Sequence, residues 1–417
     1  MNLYITADQI GIQSGGGAVT FHESEALKSL GPCEVWGREQ LNPVHDDPWG
    51  WDYNANVKLM RSFWQEGEPS PSLAHFYAGT FSHSVERLRE HDCKVVYTAA
   101  AHDVALSRRE HERFGIDFAG TYPHLCEPEL WRRYVQGYLD ADVLVCPSRL
   151  SADVMRGHGA KQRIEVIPHG VDLPKCKRCL GEKTYATSGM KPGEVWSMYC
   201  NACNGTGLAP IAPLPPQFRV GYLGSYGADK GVVYLLQAWA KLNFNDAVLV
   251  LGGRDSQSPF VEELIRITGA RNVVCTGWVK DVGDFYNQIS FYVQPSVTEG
   301  FGIEVLEAMA HGRPVICSTG AGAADAMPCP GHWACGTVFP PADAHALAEH
   351  IHAARRWELD HLGQLNREHA EQYTWDKIRQ RYVALWKELL GTPSAEAEMK
   401  VRHPDGIWSG HCGGSLR

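Results

Sequence analysis

Two glutamates stand eight positions apart in the stretch TEGFGIEVLEAMAHG, on either side of a Gly-Phe-Gly turn. Glu299 precedes the turn, and Glu307 lies in the predicted helix that follows it. Glycines allow a backbone to approach a ligand closely, and the N–H groups that begin a helix point outward as free donors. Carboxylates accept hydrogen bonds from vicinal hydroxyl groups. The pattern therefore indicates a site for phosphate or sugar oxygens.

The same segment also permits a purely structural interpretation. The run FYVQPS predicts a buried strand, and IEVLEAMAHG predicts a helix of about three turns. On that helix Glu307 and His311 are four positions apart, which is the spacing of an ordinary pair on a solvated face. This interpretation explains neither Glu299 nor the glycine turn, so we favour the ligand site.

Four of the thirteen cysteines form two C-x-x-C pairs with 20 residues between them. Thiolates at this spacing can bind one tetrahedral Zn²⁺, and four sulfur ligands leave no place for a water molecule. We therefore expect a structural zinc site rather than a catalytic one. Four unrelated reduced cysteines, or a redox pair, are the alternative. The proposed ligands are Cys176, Cys179, Cys200 and Cys203.

A glycine follows each cysteine pair, where it would ease the turn of the backbone around a metal. The segment resembles the cysteine-rich zinc module of DnaJ-type chaperones, whose repeat is C-x-x-C-x-G-x-G. CNACNGTG fits this repeat fully, and CKRCLG fits it as far as its first glycine. The neighbouring Lys175, Lys177 and Arg178 are interpreted as solvated charges that balance an anionic ZnS₄ centre, with contact to phosphate or a partner as the alternative.

The composition is that of a globular protein, with 44% hydrophobic and 21% charged residues in a chain of 417. A net charge of −9 argues against bulk electrostatic capture of nucleic acid. No apolar run approaches the roughly 20 residues of a membrane span, and MNLYITADQI is read as a strand rather than a signal peptide. We expect a cytoplasmic protein, and leave open a peripheral position at a membrane.

Apolar runs alternate with amphipathic helical patterns almost from end to end, in two series. Strands that are apolar throughout and alternate with helices predict parallel sheets covered on both faces. Two series predict two doubly wound α/β domains that face each other across a ligand-binding cleft. The predicted strands are LYITA, CEVWG, LAHFY, KVVYTAA, DVLVCPS and IEVIPHG in the first series, and FRVGYLGS, DAVLVLGG, NVVCTGWV, FYVQPS and PVICST in the second.

The α/β rhythm stops between the two series, where the cysteine pairs and the proline-rich connector LAPIAPLPPQ are found. We expect the last helix, TWDKIRQRYVALWKELL, to pack back toward the first domain. The expected divisions are residues 1–174 for the first domain, 175–216 for the cysteine insert and linker, 217–373 for the second domain, 374–395 for the last helix and 396–417 for a polar tail.

The stretch EGFGIEVLE resembles the E-x7-E motif of the retaining GT-B glycosyltransferases, in particular those of family 4. Other segments resemble the same family in the same order along most of the chain, and many motifs in order are more specific than one alone. These segments are AAHD, CPS and VIPHGVD in the first half, and YLGSYGADKG, VVCTGWV, PSVTEGFG, EAMAHGRPVI, GTVFPPADAHALAEHI and YTWDKIRQRY in the second.

The resemblance implies a role for each residue of the motif. Glu307 would bind the ribose hydroxyls of a nucleotide-diphosphate sugar. Glu299 and the backbone of Phe301, Gly302 and Ile303 would hold the hydroxyls of the donor sugar.

Lys230 would neutralise the diphosphate leaving group, because a fixed cation stabilises the charge that grows in the transition state. Family members often carry a Gly-Arg pair before this lysine, whereas this chain has Gly224-Ser225, so Ser225 stands where a second cation is usual. No catalytic metal is expected.

Three further positions follow from the resemblance. The backbone from Gly277 to Val279 would read the nucleotide base, and His102 would lie near the reacting sugar. Gly16 and Gly17, in a glycine loop after the first strand, would approach the donor phosphates, although a flexible turn is the alternative. Asp325 stands, in AGAAD, where the family has a G-G-x-x-E glutamate, and we assign it no role.

The leading interpretation is a retaining, metal-independent glycosyltransferase that acts on an unidentified acceptor. In a second interpretation, the zinc insert binds a protein or nucleic-acid acceptor or partner on the same scaffold. A GT-B phosphorylase or epimerase is a third. The sequence names neither the base, the sugar nor the acceptor.

Overall fold

The computed structural model describes residues 1–6, 15–37, 41, 55, 58–59, 70–77, 81–101, 103–118, 126, 128–177, 179–180, 182, 184–188, 195–200, 202–204, 206–328 and 336–391. His102, Arg178 and the predicted tail at 396–417 lie outside the described residues. In the described part of the chain, no helix is both long enough and apolar enough to cross a bilayer.

The N-terminal half forms a six-stranded sheet in the order β2-β1-β3-β4-β5-β6, and all neighbouring strands are parallel. β1, β3 and β5 are buried along their whole length, as expected for a sheet covered on both faces. The strands are β1 (Asn2–Thr6), β2 (Cys33–Trp36), β3 (Leu73–Tyr77), β4 (Lys94–Thr98), β5 (Val143–Cys146) and β6 (Arg163–Val166). The helices are α1 (Gly15–Lys28), α2 (Ser82–Glu90), α3 (Val104–Arg113), α4 (Pro128–Leu139) and α5 (Arg149–Gly157).

The C-terminal half forms a second parallel sheet, in the order β11-β10-β9-β12-β13-β14. Its strands are β9 (Phe218–Leu223), β10 (Ala247–Gly252), β11 (Val273–Gly277), β12 (Phe291–Gln294), β13 (Val315–Ser318) and β14 (Thr337–Phe339). Its helices are α6 (Val232–Leu242), α7 (Pro259–Thr268), α8 (Val282–Asn287), α9 (Glu304–Ala310), α10 (Ala344–Ala354) and α11 (Leu359–Ala370).

The strand order in each sheet reverses once, between β1 and β3 in the first and between β9 and β12 in the second. Loops that leave the carboxyl ends of two such strands diverge and open a crevice, which is where open parallel sheets bind ligands. The prediction of two doubly wound α/β units is confirmed. The sequence patterns missed β14, a strand of only three residues at the edge of its sheet.

The cysteine insert contains an antiparallel hairpin of β7 (Thr184–Ser188) and β8 (Val195–Tyr199), which the sequence analysis did not predict. The two ends of the insert are joined at its base, where Lys175 and Leu208 form an antiparallel bridge. Cys176 N–H donates to the Gly207 carbonyl at 2.9 Å, and Ala209 N–H donates to the Pro174 carbonyl at 2.8 Å. The chain therefore enters and leaves the insert through neighbouring residues.

The connector that follows the insert is fixed to the C-terminal half by a buried arginine. Arg313 is fully buried and donates from Nη2 to the Ala212 carbonyl at 3.0 Å and from Nε to the Tyr286 carbonyl at 2.8 Å. Gly312 has a φ of +69°, and a Cβ built there would lie 2.7 Å from the side chain of Ile211. The connector thus lies directly against the end of α9.

The last helix, α12 (Trp375–Leu389), packs on α1 and on the first sheet. Trp386 Nε1 donates to His75 Nδ1 at 3.1 Å, and the buried carboxylate of Glu23 accepts from Tyr4 at 2.6 Å in the same cluster. Val171 N–H donates to the Tyr373 carbonyl at 2.8 Å just before α12 begins. The last described helix therefore lies against the first helix and the first strand of the chain.

Candidate functional site

Lys230 and Glu299 come together at the carboxyl ends of β9 and β12. The backbone brings them there, because Val297 N–H donates to the Asp229 carbonyl at 2.7 Å. Gly231, with a φ of +69°, lies so close to the Pro295 carbonyl that a side chain would collide with it. Lys230 Nζ then forms an ion pair with Glu299 Oε2, and the two side chains are 21% and 20% exposed.

The charge of Lys230 is stabilised by its surroundings. Burial acts to lower the pKa of Lys230, but the carboxylates of Glu299 and Asp229 outweigh burial, so the pKa lies above its usual value. The ammonium group is therefore permanently charged at neutral pH. An anion placed at this position would meet a fixed cation.

The Gly-Phe-Gly turn after Glu299 is shaped by its two glycines. Gly302 has a φ of +92°, a conformation that other residues rarely adopt. A Cβ on Gly300 would lie 2.5 Å from the carbonyl oxygen of Ala100, in the N-terminal half. Phe301 is buried between the halves, and its ring lies edge-on to His169 with a centroid distance of 5.1 Å. Only a chain with glycine at both positions can follow this path.

Glu307 is oriented by a tyrosine of the neighbouring helix α8. Tyr286, which is fully buried, donates from its hydroxyl to Glu307 Oε2 at 3.0 Å and lies 3.2 Å from the Glu304 carbonyl. Burial raises the pKa of Glu307, and the hydrogen bond from Tyr286 opposes the rise. The predicted three-turn helix is shorter in the structure: α9 has seven residues and ends before Gly312, whose left-handed φ stops it.

Glu304 is a carboxylate of this site that the sequence analysis did not select. It begins α9 immediately after Ile303, and burial, together with the charges of Glu299 and Glu307, raises its pKa to about 7. Helical spacing alone gave Glu304 no distinct signal, because burial and the approach of Glu299 arise only when the turn has folded. Three carboxylates and one ammonium group thus share the crevice.

Three other predicted site residues are described by the elements in which they lie. Ser225 is exposed after β9, and its carbonyl accepts a hydrogen bond from the Tyr222 hydroxyl. Gly16 and Gly17 lie in the first turn of α1. His102 lies outside the described residues, between Ala101 and Asp103.

The predicted base-reading segment lies at the end of β11, two strands away from β9. Gly277 has a φ of +72°, and its N–H donates to Ser256 Oγ at 2.9 Å while its carbonyl accepts from Gly253 N–H at 3.1 Å. Val279 packs against the core of the C-terminal half. Trp278, between them, is 62% exposed, with the Arg254 guanidinium 5.3 Å from its ring centroid.

The four cysteines of the insert form a compact, buried cluster. Their sulfur atoms all lie within 4.8 Å of one another. The Cys176 and Cys200 sulfurs are 3.8 Å apart, and those of Cys179 and Cys203 are 3.7 Å apart. A tetrahedral ion with bonds of ~2.3 Å separates its sulfur ligands by roughly 3.8 Å, so the cluster fits Zn²⁺.

The backbone at the two cysteine pairs differs in detail from the expectation. Positive φ values fall on Leu180 (51°) and Asn204 (48°), one position before the expected glycines. Those glycines, Gly181 and Gly205, lie outside the described residues. Gly207 N–H donates to Cys203 Sγ at 3.3 Å, which is the kind of contact that stabilises a thiolate ligand.

Two family models match this chain, one in each half. The model described as Glycosyltransferase Family 4 matches residues 19–175, and the model described as Glycosyl transferases group 1 matches residues 217–355. Together they span both parallel sheets. The boundary between them contains the cysteine insert, which neither model includes beyond its first residue.

Similar curated proteins are glycosyltransferases. A capsular polysaccharide biosynthesis glycosyltransferase of Staphylococcus aureus, CapM, is 29% identical over 189 residues, which cover 43% of this chain and 49% of that one. A D-inositol 3-phosphate glycosyltransferase of Corynebacterium urealyticum is 28% identical over 299 residues, 67% of this chain and 64% of that one. The matched region thus spans about half the length of the first relative and just under two thirds of the second.

Solved structures share the fold across almost the whole chain. Sucrose-phosphate synthase from Thermosynechococcus elongatus superposes with a TM-score of 0.68 at 18% identity, over 94% of this chain and 99% of that one. Anabaena HepE, in complex with UDP and glucose, gives 0.62 at 16% identity, over 93% and 100%. These likenesses establish the GT-B architecture, and with the two family models they show that the chain belongs to the GT-B glycosyltransferases of the group 1 and family 4 type.

Proposed function

We propose that the protein is a retaining glycosyltransferase that moves a sugar from a nucleotide-diphosphate sugar to an acceptor hydroxyl without a catalytic metal. The observation that carries this proposal is the Lys230–Glu299 ion pair at the strand-order reversal of the second sheet. A diphosphate suits the fixed cation, and sugar hydroxyls suit the carboxylate. When a donor binds, its diphosphate can take the place of Glu299 beside Lys230, and its sugar hydroxyls can take the place of Lys230 beside Glu299.

The remaining donor contacts follow from the same arrangement. Glu307, which is oriented by Tyr286, accepts hydrogen bonds from the ribose hydroxyls, and the backbone of Phe301, Gly302 and Ile303 faces the donor sugar. Gly277 and Val279 lie by the base, Gly16 and Gly17 lie by the phosphates, and His102 lies by the reacting sugar. These roles are supported by the family match and the motif positions. Ser225 leaves Lys230 as the principal cation on the diphosphate.

The transfer is a displacement on one face of the sugar. The acceptor oxygen bonds to the anomeric carbon while the bond from that carbon to the diphosphate oxygen breaks. The acceptor's proton passes to the departing phosphate oxygen, and Lys230 stabilises the charge that develops on the diphosphate. In this proposal the positive charge beside the diphosphate is supplied by Lys230.

Thermal unfolding with a panel of donors tests this function directly. UDP-, GDP-, ADP- and dTDP-glucose, with GDP-mannose and UDP-galactose, are each added at increasing concentration, and a bound donor raises the melting temperature by mass action. Turnover of the best donor is then measured as sugar-nucleotide hydrolysis. Lys230→Ala and Glu307→Ala should abolish turnover, whereas the surface variants Lys241→Ala and Glu349→Ala should retain it.

Three results would contradict the proposed function, and each points to a different alternative. Unchanged turnover in Lys230→Ala or Glu307→Ala would refute the assignment of the donor site. Activity that requires inorganic phosphate and no acceptor would indicate a phosphorylase instead. A panel in which no sugar nucleotide raises the melting temperature would favour a binding protein that uses the scaffold for another purpose.

We also infer that the cysteine cluster holds a structural Zn²⁺. The sulfur separations of 3.7 and 3.8 Å and the burial of all four cysteines support this inference. The ligands would be Cys176, Cys179, Cys200 and Cys203. Four sulfur ligands would fill the coordination sphere of the ion. The ion would therefore stabilise the base of the insert and would take no part in the transfer.

A further inference from the structure

The carbonyl group of Gly300, the residue after Glu299, accepts hydrogen bonds from two serines of the other half of the chain. Ser148 Oγ lies 2.7 Å from this oxygen and Ser151 Oγ lies 3.0 Å from it. Both serines are completely buried. The first half thus binds the turn that follows Glu299 through two hydrogen bonds to one carbonyl oxygen.

The two serines are held in place by the start of α5. Ser148 is the N-cap of this helix, and its Oγ accepts from Ser151 N–H at 3.0 Å. Its single hydroxyl proton is therefore available for the Gly300 carbonyl. Ser151 Oγ also lies 2.7 Å from the Ala101 carbonyl, so its proton is shared between two acceptors. The short strand β5 and the helix cap thus aim both hydroxyls across the crevice.

The residue before Glu299 is bound to the first half as well. Asp103 N–H donates to Thr298 Oγ1 at 2.9 Å, and Asp103 itself caps α3 by accepting from Leu106 N–H at 2.8 Å. Glu299 therefore stands between two residues that the N-terminal half holds. Its own half contributes the backbone bonds of Glu299 to Gly320 and Gly322, at 2.9 and 3.0 Å.

The junction has no spare room. A side chain on Gly322 would collide with the Gly300 carbonyl and with Ser148 Oγ. Beside it, Asp325 Oδ2 accepts from Arg149 N–H at 2.7 Å, so this carboxylate binds the first turn of α5. The shortened acidic residue that had no role in the sequence analysis thus joins the two halves. A small shift of α5 would be transmitted to the Gly300 carbonyl.

We propose that Ser148 and Ser151 are positioning residues through which the N-terminal half sets the orientation of Glu299. The inference rests on the proposed function, in which Glu299 holds the donor sugar. Glu299 then reaches its working position only when the two halves are closed on each other. Lys230 and Glu307 belong to the C-terminal half and bind the donor without this contact. Closure would thereby complete the site for the sugar after the nucleotide has bound.

The test compares Ser148→Ala, Ser151→Ala and the double variant with the wild-type protein. Losing one buried hydroxyl should lower kcat for the best sugar nucleotide by about fivefold, and losing both should lower it by roughly 30-fold. The dissociation constant of the donor, from calorimetry, should change by less than about twofold. Asp325→Ala, which leaves the buried core untouched, should also lower kcat.

Two control variants separate positioning from general stability. Ser24→Ala removes a buried hydroxyl that donates to a carbonyl of its own helix, Phe21, and Asp343→Ala removes an N-cap from α10. Both should leave kcat unchanged while lowering the melting temperature, as the serine variants do. Parallel losses of kcat, donor affinity and melting temperature in the serine variants would overturn the proposal.

Amide hydrogen exchange gives a readout that needs no turnover. Without donor, peptides covering Val297–Ile303 should exchange faster in the double serine variant than in the wild-type protein, while peptides from β10 should not. Unchanged exchange in this segment would overturn the proposal even if the enzyme is active. If no sugar nucleotide is turned over by the wild-type protein, the proposed function fails, and the exchange experiment still decides whether the serines hold the turn.

Discussion

The hydroxyl of Tyr286 donates to Glu307 Oε2 at 3.0 Å, which joins a fully buried side chain of α8 to a carboxylate at the edge of the crevice. The backbone carbonyl of the same tyrosine accepts from Arg313, which also binds the connector after the insert. Tyr286 therefore contacts both Glu307, the carboxylate proposed to bind ribose, and Arg313, which binds the linker between the halves.

Tyr286→Phe should weaken donor binding because Glu307 loses the group that orients it. We expect the donor dissociation constant to rise by about five- to tenfold, as for loss of a typical hydrogen bond, with little change in kcat. Calorimetric titration measures the affinity. Tyr4→Phe is the matched control, since Tyr4 donates to the buried Glu23 at 2.6 Å in the other half. Equal affinity in wild type and Tyr286→Phe would contradict the role of this bond.

Glu304 should make the stability of the protein depend on pH. Burial, followed by the charges of Glu299 and Glu307, raises its pKa to about 7 in the folded state, above its value in the unfolded chain. The folded state then binds more protons between these two values, so stability falls as pH rises from about 4.5 to about 7. Glu304→Gln should melt higher than the wild-type protein at pH 8.

Melting Glu304→Gln and the wild-type protein at pH 5 provides the control for the difference expected at pH 8. At pH 5 the wild-type carboxyl is largely protonated, so the melting temperatures of Glu304→Gln and wild type should lie close together. Glu349→Gln, at an exposed position of α10, should show no such difference between the two pH values. A Glu304→Gln protein that gains nothing at pH 8 would show that this carboxylate is solvated in solution.

Gly302→Ala should lower both turnover and stability, because it distorts the backbone of the turn after Glu299. The φ of +92° disfavours any side chain, and a Cβ would lie 3.2 Å from Gln294 Nε2, so the turn must distort. We expect a loss of about 1–3 kcal/mol in the free energy of unfolding and at least a tenfold fall in turnover. Chemical denaturation and donor hydrolysis measure the two effects.

Gly269→Ala is the control for the glycine substitution. Gly269 has a φ of +69° at the end of α7, and nothing lies within 4 Å of the position of a Cβ there. This variant should lose stability and keep its turnover. Full turnover in Gly302→Ala would mean that the shape of the turn is unimportant for the donor.

Cys179→Ser should release the metal and loosen the insert. We expect elemental analysis to find about one zinc per chain in the wild-type protein and much less in the variant, with a lower melting temperature. A strong chelator should lower the melting temperature of the wild-type protein but not that of the variant. Cys33→Ser changes a half-buried cysteine of β2, which is no member of the cluster, and should retain the metal. A metal-free wild-type protein with the same stability would contradict the zinc site.

The parallel strands and the motif were predictable because their signals are local. An apolar run such as FYVQ predicts a buried strand from neighbouring residues alone, and Glu299, Lys230 and the cysteine pairs stand in short recognisable segments. β14 has three residues, too few for a pattern to emerge. The hairpin of the insert lies between the two cysteine pairs, where the strand and helix pattern of the flanking sheets does not continue.

The contacts that complete the site were not predictable, since they join residues that are far apart in the chain. Ser148 and Gly300 are 152 positions apart, and nothing in either segment indicates the other. Glu304 was not selected from the sequence, because its raised pKa depends on burial and on Glu299, which only folding brings near. The buried Arg313 would be assigned to the surface by composition alone. Its carbonyl partners, Tyr286 and Ala212, explain why it is buried.

The bridge between Lys175 and Leu208 closes the base of the insert, so the insert is a self-contained excursion of the chain. Because the chain leaves and returns through adjacent residues, Pro174 and Ala209 could be joined by a short turn with no change in the path of the backbone on either side. The hydrogen bonds described above between the two halves, from Ser148 and Ser151 to Gly300 and from Arg149 to Asp325, involve no residue of the cysteine segment. We therefore expect a change confined to β7 and β8 to leave the contacts between the two halves in place.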